Sequence, residues 1–289
     1  MAIGGDMGVQ IGEIIYFANE FDLLETHLEI HAPFVERFFV AESAVTVSGI
    51  EKPLFFKENK EMFSTWGDKL VHVEIPTDIQ PKTKEWADFR IQDHEKNRYM
   101  HPIACEGVDW VMHSDCDEML YPDKFAEGRK TLEANPDWEH SCYKLRQSKT
   151  YVNCVQKKVN VYRFIKAEPK HFSYSPKGRP RGNFVDGPAG YHFHNCFSKG
   201  EQGVDEMYLK VLNRNWMFEE GSPTREQCQY VLDRMGTIYQ ITEKEIPMIK
   251  HIHSGFVCDE PVAMAKRAQP LSYLPEAMQQ NISRFPYYA

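Results

Sequence analysis

The sequence predicts an α/β domain built on a mostly parallel central sheet flanked by helices, and three observations carry that prediction. Short strand-like runs alternate with stretches of helical periodicity, the first two strands are separated by a helix, and polar clusters recur where strands run out. Strand, helix, strand is the opening of a parallel sheet, because parallel neighbours need a crossover between them.

Ile11 to Phe17 (IGEIIYF) reads as a buried strand. It leads into the turn Asn19-Glu20-Phe21-Asp22, after which Leu23, Leu24, His27 and Leu28 recur at helical spacing. Arg37 to Ala41 (RFFVA) is the second strand and ends at Glu42-Ser43; Leu70 to Ile75 (LVHVEI), alternating and stopped by Pro76, is the third. A helix is expected between Lys84 and Glu106, with Phe89, Ile91, Tyr99, Met100 and Ile103 available to its buried side and Glu95 and Arg98 sharing one face. The next strand lies in DWVMHSDCDEMLYP, where apolar residues run straight into Asp115, Asp117 and Glu118 before Pro122. In open α/β sheets ligands gather at the carboxyl ends of strands, where loops vary while the sheet holds still. Asn19-Glu20, Glu42-Ser43 and Asp115-Cys116-Asp117 all fall at such ends, so one edge of the sheet is expected to carry a site.

The chain as a whole sets bounds on this reading. Its 289 residues are 42% hydrophobic and 13% aromatic, enough for one large core, and no Pro/Gly/Ser-rich linker or repeat divides them. Residues 1–10 read as a flexible N-terminal tail and residues 11–289 as a single domain. A formal net charge of -8 argues against a general polyanion binder while leaving room for a local basic patch. The seven cysteines are scattered, odd in number and without a CxxC pair, the pattern of reduced cytosolic thiols. Neither a secretory leader nor an apolar run of about 18 residues is present, so a cytoplasmic protein with no transmembrane segment is expected.

Crowded carboxylates cost repulsion and desolvation, which a cation or a proton relieves. In an extended chain Asp115 and Asp117 point to the same side, about 7 Å apart. Mg²⁺ or Mn²⁺ prefers such hard oxygen ligands and shares them with phosphates. The alternative is a strand-to-helix turn in which one acid caps the following helix. Downstream, GPAGYHFHN (187–195) combines glycines that permit close approach with His192 and His194 on one side of a strand, and the competing reading is a turn before a core strand.

From Phe17 to Asn59, FANEFDLLETHLEIHAPFVERFFVAESAVTVSGIEKPLFFKEN is similar to the opening of glycosyltransferase family 17, which includes the bisecting β-1,4-N-acetylglucosaminyltransferase. The pattern continues through Glu95-x-x-Arg98, Ser114-Asp115-Cys116-Asp117-Glu118, Ala189-Gly190-Tyr191-His192, Lys210, Ser272-Tyr273-Leu274-Pro275, Asn281 and Arg284-Phe285. It departs at Tyr191, where the family usually has Trp, and at Cys116, which replaces an aliphatic residue.

The resemblance implies a GT-A-type nucleotide-sugar-binding fold in which Asp115 and Asp117 form the DxD motif and hold Mn²⁺ or Mg²⁺. It places Asn19, Glu20, Asp22, Glu42, Arg98, Asp115, Gly190 and His192 at the donor. His251 and His253, on one face of an extended segment, are the candidates to complete the metal shell, with a purely structural role as the alternative. Asp205, Glu206 and Glu201, which follow the glycine loop, are the candidates for the base that deprotonates an acceptor hydroxyl, against the alternative of a solvated helix start.

The expected activity is metal-dependent, inverting transfer of a hexosyl or N-acetylhexosaminyl group from a nucleoside diphosphate sugar to a glycan or polysaccharide hydroxyl. Two alternatives stay open. The stretch KAEPKHFSYSPKGRPR (166–181), basic and interleaved with aromatics, suits either a lid over a diphosphate or contact with DNA carrying hydroxymethylated bases. A non-catalytic sugar- or nucleotide-binding module would show the same polar pocket.

Overall fold

Strand β1 (Ile11–Tyr16) lies between two parallel neighbours, β2 (Arg37–Ser43) and β4 (Trp110–Asp115), and is buried along almost its whole length. That position explains its near-continuous apolar run, since both faces of a central parallel strand are covered by helices. In the computed structural model, which describes residues 8–79, 86–148, 155–168, 182–193, 196–213, 223–235 and 269–285, β3 (Leu70–Ile75) extends this parallel group outside β2. The first helix, α1 (Phe21–His31), covers one face and α3 (Trp86–Ala104) the other, with the one-turn helix α2 (Phe55–Glu58) after β2. Side chains alternate accordingly: Ile11 and Ile15 enter the large core under α1, whereas Ile14 joins Met100 and Ala104 beneath α3. Residues 8–10, assigned to the tail by sequence, are tied down, the Val9 N–H donating to Glu133 and the Gln10 N–H to Asp109.

The second half adds β5 (Glu118–Leu120), α4 (Pro122–Ala134), β6 (His140–Ser148), β7 (Val155–Lys166), β8 (Gly182–His192), α5 (Gly200–Asn213) and α6 (Arg225–Met235). The eight strands of the described residues form one sheet in the order β3-β2-β1-β4-β7-β6-β8-β5. Four of its seven pairings are parallel and three antiparallel, so the parallel character is strongest in the first half. The α/β architecture with helices on the sheet is the one expected, and the carboxyl ends of β1, β2 and β4 lie on one edge.

The order of β4 and β5 has a geometric consequence. They stand fourth and eighth in the sheet, yet only Cys116 and Asp117 separate them in the chain. The three Cα–Cα steps from Asp115 to Glu118 reach roughly 11 Å at most, so the sheet curls until its far edge returns beside β4. Phe125, Tyr143, Phe164, Phe184 and Tyr191 fill the space enclosed by the curl, with Phe164 and Phe184 stacked at 4.2 Å between ring centres. The C-terminal stretch closes the core with Leu274, Met278 and Phe285, and the Lys199 N–H donates to the Arg284 carbonyl. Among the described residues no helix is long and apolar enough to cross a membrane, and Cys105, Cys116, Cys142, Cys196 and Cys228 are free thiols.

Candidate functional site

The curl puts the acidic segment at its seam. β4 ends at Asp115, the chain turns through Cys116 and Asp117, and β5 begins at Glu118. The same-side alternation expected of Asp115 and Asp117 therefore stops at Asp115, because alternation belongs to extended chain and not to a turn. The Glu118 carboxylate accepts the Asp115 N–H at 3.2 Å, and the Asp117 carbonyl accepts the Phe193 N–H at 2.8 Å. The Asp117 carboxylate lies between two basic groups, His192 Nε2 and Lys210 Nζ, each 3.6 Å away.

Other acids converge here from separate elements. Burial first, and after it the negative charges of Glu20, Asp117, Glu206 and Asp115, push the Cys116 thiol well above its ordinary range. Four acids thus act electrostatically on one buried turn residue. Burial, despite hydrogen bonds from Ser198 and Gln202 and with Glu20 adding to the effect, raises the Glu206 carboxyl to about 8. Its Oε2 accepts the Ser198 N–H at 2.8 Å, while Oε1 accepts the Ser198 hydroxyl at 2.9 Å and the Gln202 amide at 3.0 Å. Gln202 also donates to the Asn19 carbonyl at 2.6 Å, joining the β1–α1 loop to α5. Glu20 folds back on that loop to accept the Ala18 and Asn19 N–H groups. Gln202, Glu206 and Lys210 form a single row on α5 at four-residue spacing, and this row faces the turn. Lys210 stood in the sequence pattern without a role; its spacing from Glu206 was the available signal.

The remaining candidates lie elsewhere or serve other partners. Glu201 and Asp205 occupy the neighbouring row of α5, where both are exposed and paired with Arg225, Asp205 at 2.7 Å. Asp22 meets Arg284 at 3.1 Å, fastening α1 to the C-terminal stretch. Glu42 is buried and caps α2, its carboxylate accepting the Phe56 and Lys57 N–H groups at 2.9 and 3.3 Å, with Lys52 at 3.8 Å. Arg98 is exposed on α3, and Glu95 lies 3.5 Å from His94. Gly190 is held by β5: a Cβ there would stand 2.0 Å from the Met119 carbonyl oxygen, so the glycine permits the β5–β8 pairing. His194, His251, His253 and residues 169–181 of the basic stretch lie outside the described residues.

One cluster was not anticipated. Glu13, a lone acid within the apolar β1 run, is fully buried between His27 and His31 of α1. Its Oε1 is 2.8 Å from His27 Nε2 and also accepts the Ser114 hydroxyl; its Oε2 is 2.8 Å from His31 Nδ1. Burial alone would raise the Glu13 carboxyl, but the charges and hydrogen bonds of His31 and His27 hold it far below the usual carboxylate range. His31 moves down from its ordinary value, chiefly through burial. A buried acid in a strand, with histidines four apart on the facing helix, was the sequence signal for this network.

Two groups of side chains compare as metal sites. Glu13, His27 and His31 have ligand atoms within 4.8 Å of one another. Yet the Leu120 N–H donates to His31 Nε2 at 2.8 Å, so Nε2 carries the lone pair and Nδ1 carries the proton given to Glu13. A metal on Nδ1 would have to displace that proton, and with Nε2 already accepting, His31 would become an imidazolate, so the triad in this arrangement does not fit an ion. The acids around Cys116 are oxygen donors of the kind a hard divalent cation takes, although among the described residues no three of them bring ligand atoms within 4.8 Å of one another.

With this geometry in view, the profile of glycosyltransferase family 17 matches residues 7–202, two-thirds of the chain and all of the acid turn. The chain belongs to glycosyltransferase family 17. It is therefore a glycosyltransferase, as the pattern from Phe17 onward implied. No match was found among curated proteins. Similar solved structures include residues 1–349 of TarS from S. aureus, at 8% identity and a TM-score of 0.35, covering 83% of this chain and 77% of that one. The mannosyltransferase PcManGT from Pyrobaculum calidifontis, in complex with GDP-Man and Mn2+, has 11% identity and a TM-score of 0.39, with 96% and 84% covered. A mannose-1-phosphate geranyltransferase from Thermus thermophilus has 13% identity and a TM-score of 0.28, with 90% and 72% covered.

Proposed function

We propose that this family 17 enzyme transfers a hexosyl or N-acetylhexosaminyl group from a nucleoside diphosphate sugar to a hydroxyl of a glycan or polysaccharide, with inversion and with Mn²⁺ or Mg²⁺ as cofactor. The observation that carries the reading is the turn at the sheet seam, where Asp115, Asp117, Glu20 and Glu206 converge and Lys210 and His192 flank Asp117. Asp115 and Asp117 would hold the ion, whose chemistry when bound is to neutralise charge on the departing diphosphate. Lys210 offers a mobile ammonium to the same phosphates, and His192 a second donor beside it. Glu20 and the Asn19 carbonyl, fastened by Gln202, border the donor side.

Of the three acids considered for the base, Glu206 is the one on the α5 row that faces the turn. A carboxyl near 8 exchanges its proton close to neutral pH, the range in which a general base is most effective. We assign it the proton from the acceptor hydroxyl, a role that requires Ser198 or Gln202 to release one of its oxygens, because the group is buried with both oxygens bonded. The DNA alternative draws on the basic stretch alone, and nothing in the described residues adds to it.

The test is Asp117→Asn, which removes an anionic oxygen and keeps the shape. Calorimetric titration with Mn²⁺, and release of diphosphate from a panel of nucleotide sugars, should both collapse while circular dichroism is unchanged. Undiminished metal-dependent donor hydrolysis in the variant would refute the assignment, and a wild type that binds nucleotide sugars without ever releasing diphosphate would indicate a binding module.

A further inference from the structure

The Glu13 network touches the acid turn at both ends. His27 Nδ1 lies 3.2 Å from the Cys116 carbonyl, just before Asp117, and the N–H of Leu120, two residues after Glu118 at the end of β5, enters His31 Nε2 at 2.8 Å. A carbonyl can only accept, so His27 Nδ1 donates; an N–H can only donate, so His31 Nε2 accepts. Glu13 sets both orientations, because each histidine presents its other nitrogen to one carboxylate oxygen, and Ser114 fixes the carboxylate in turn. Glu13, His27 and His31 are all fully buried. No substrate-facing surface is available to any of the three.

We infer that Glu13, His27 and His31 are positioning residues for the transfer reaction: a buried carboxylate–imidazole clamp that grips the Asp115–Glu118 turn by the Cys116 carbonyl and the Leu120 amide and fixes where the Asp117 carboxylate stands. In the turn the Cys116 N–H reaches the Tyr16 carbonyl at 3.3 Å and the Asp117 carbonyl takes the Phe193 N–H at 2.8 Å, but the Asp117 carboxylate oxygens contact their basic partners only at 3.6 Å. The clamp supplies the rigidity those contacts do not. Burying a carboxylate is costly unless every oxygen is satisfied, so a core whose only task was cohesion would do as well with apolar residues here. The polar network is explained by what it holds.

The inference rests on the reading of the acid turn as the metal and donor site, and the experiment separates the two. Two substitutions divide His27 between its partners: Asn keeps a donor near the Nδ1 position, toward the Cys116 carbonyl, and Gln keeps one near Nε2, toward Glu13. Mn²⁺ alone is the probe, its free concentration followed by electron paramagnetic resonance. His27→Gln should weaken Mn²⁺ about tenfold or more, the usual scale for losing a residue that orients a ligand, while His27→Asn stays within about threefold of wild type. Leu24→Ala, in the same helix and buried in the same core, should lower the unfolding temperature without moving the Mn²⁺ affinity.

Equal Mn²⁺ affinity in His27→Gln and wild type, with Asp117→Asn impaired, would overturn the clamp and leave the metal site standing. Normal Mn²⁺ binding in Asp117→Asn would instead sink the metal site, and the clamp's proposed task with it. The wild type supplies a measurement that needs no variant to fold. Nitrogen-15 shifts should show His31 as the Nδ1–H tautomer, and the Leu120 amide should exchange as slowly as those of β4 despite lying in an edge strand. An Nε2–H tautomer or a fast Leu120 amide would rule the clamp out.

Discussion

Glu206 is where two roles meet in one carboxyl. Its hydrogen bonds to Ser198 hold the loop that enters α5, and its place on the row facing Asp117 suits it to take a proton. Glu206→Gln separates these, since the amide oxygen keeps one of the two accepting positions toward Ser198, its NH2 takes the other, and the group no longer titrates. Loss of a general base lowers turnover by roughly 10² to 10⁴ with little change in KM, and that is the expected outcome. Retained turnover would confine Glu206 to the loop. The sequence offered Glu201, Asp205 and Glu206 with nothing to choose among them, because consecutive helix rows differ only in what packs against them. Arg225, distant in the sequence, claims Glu201 and Asp205. Glu13 was missed for a related reason: one acid in IGEIIYF looks like noise until α1 is laid over it.

At the scale of elements, β1, α1, β2, β3, α3 and β4 were legible because each is written in its own local periodicity. The pairing of β5 with β8 was not. It joins residues 118–120 to 190–192, and the signal for it, Gly190, reads equally well as a ligand contact. The structure gives that glycine a testable cost. Gly190→Ala would drive a methyl into the Met119 carbonyl and the Leu120 Cα, backbone atoms that move only if β5 moves, at about 1–3 kcal/mol or more. Because Glu118 of β5 holds the Asp115 N–H, thermal melting and Mn²⁺ affinity should fall together. Gly187→Ala is the contrast: its φ of 75° makes alanine strained, but no atom lies within 4 Å, so stability should drop while Mn²⁺ affinity holds. Equal loss of metal affinity in both would refute the link through β5.

Across the whole molecule, three buried groups with shifted titration make stability depend on pH in a way worked out from their signs. Burial lowers His31 in the fold, so below its ordinary 6.5 the unfolded chain takes up a proton more readily than the fold does, and stability falls as pH drops through that window. Glu206 has the opposite sign. Raised from 4.5 to about 8, it holds a proton in the fold that the unfolded chain releases above 4.5, so stability falls as pH rises toward 8. Glu13, depressed in the fold, contributes stability that is fully present above 4.5 and is lost as pH falls below it. Below 6.5 the His31 and Glu206 slopes oppose each other, each at most about 1.4 kcal/mol per pH unit, so denaturant midpoints should vary less steeply there than above 6.5. From 6.5 to 8 the midpoint should decline, because only Glu206 still acts. Glu206→Gln should abolish that decline and expose the rising limb due to His31, moving the optimum toward the neutral and alkaline side. Urea unfolding at half-unit pH steps in the wild type and this variant provides the measurement. A wild-type midpoint that climbs steadily from pH 5 to 8 would mean that Glu206 is ionised in the fold, and would remove the reason for assigning it a proton exchanged near neutrality.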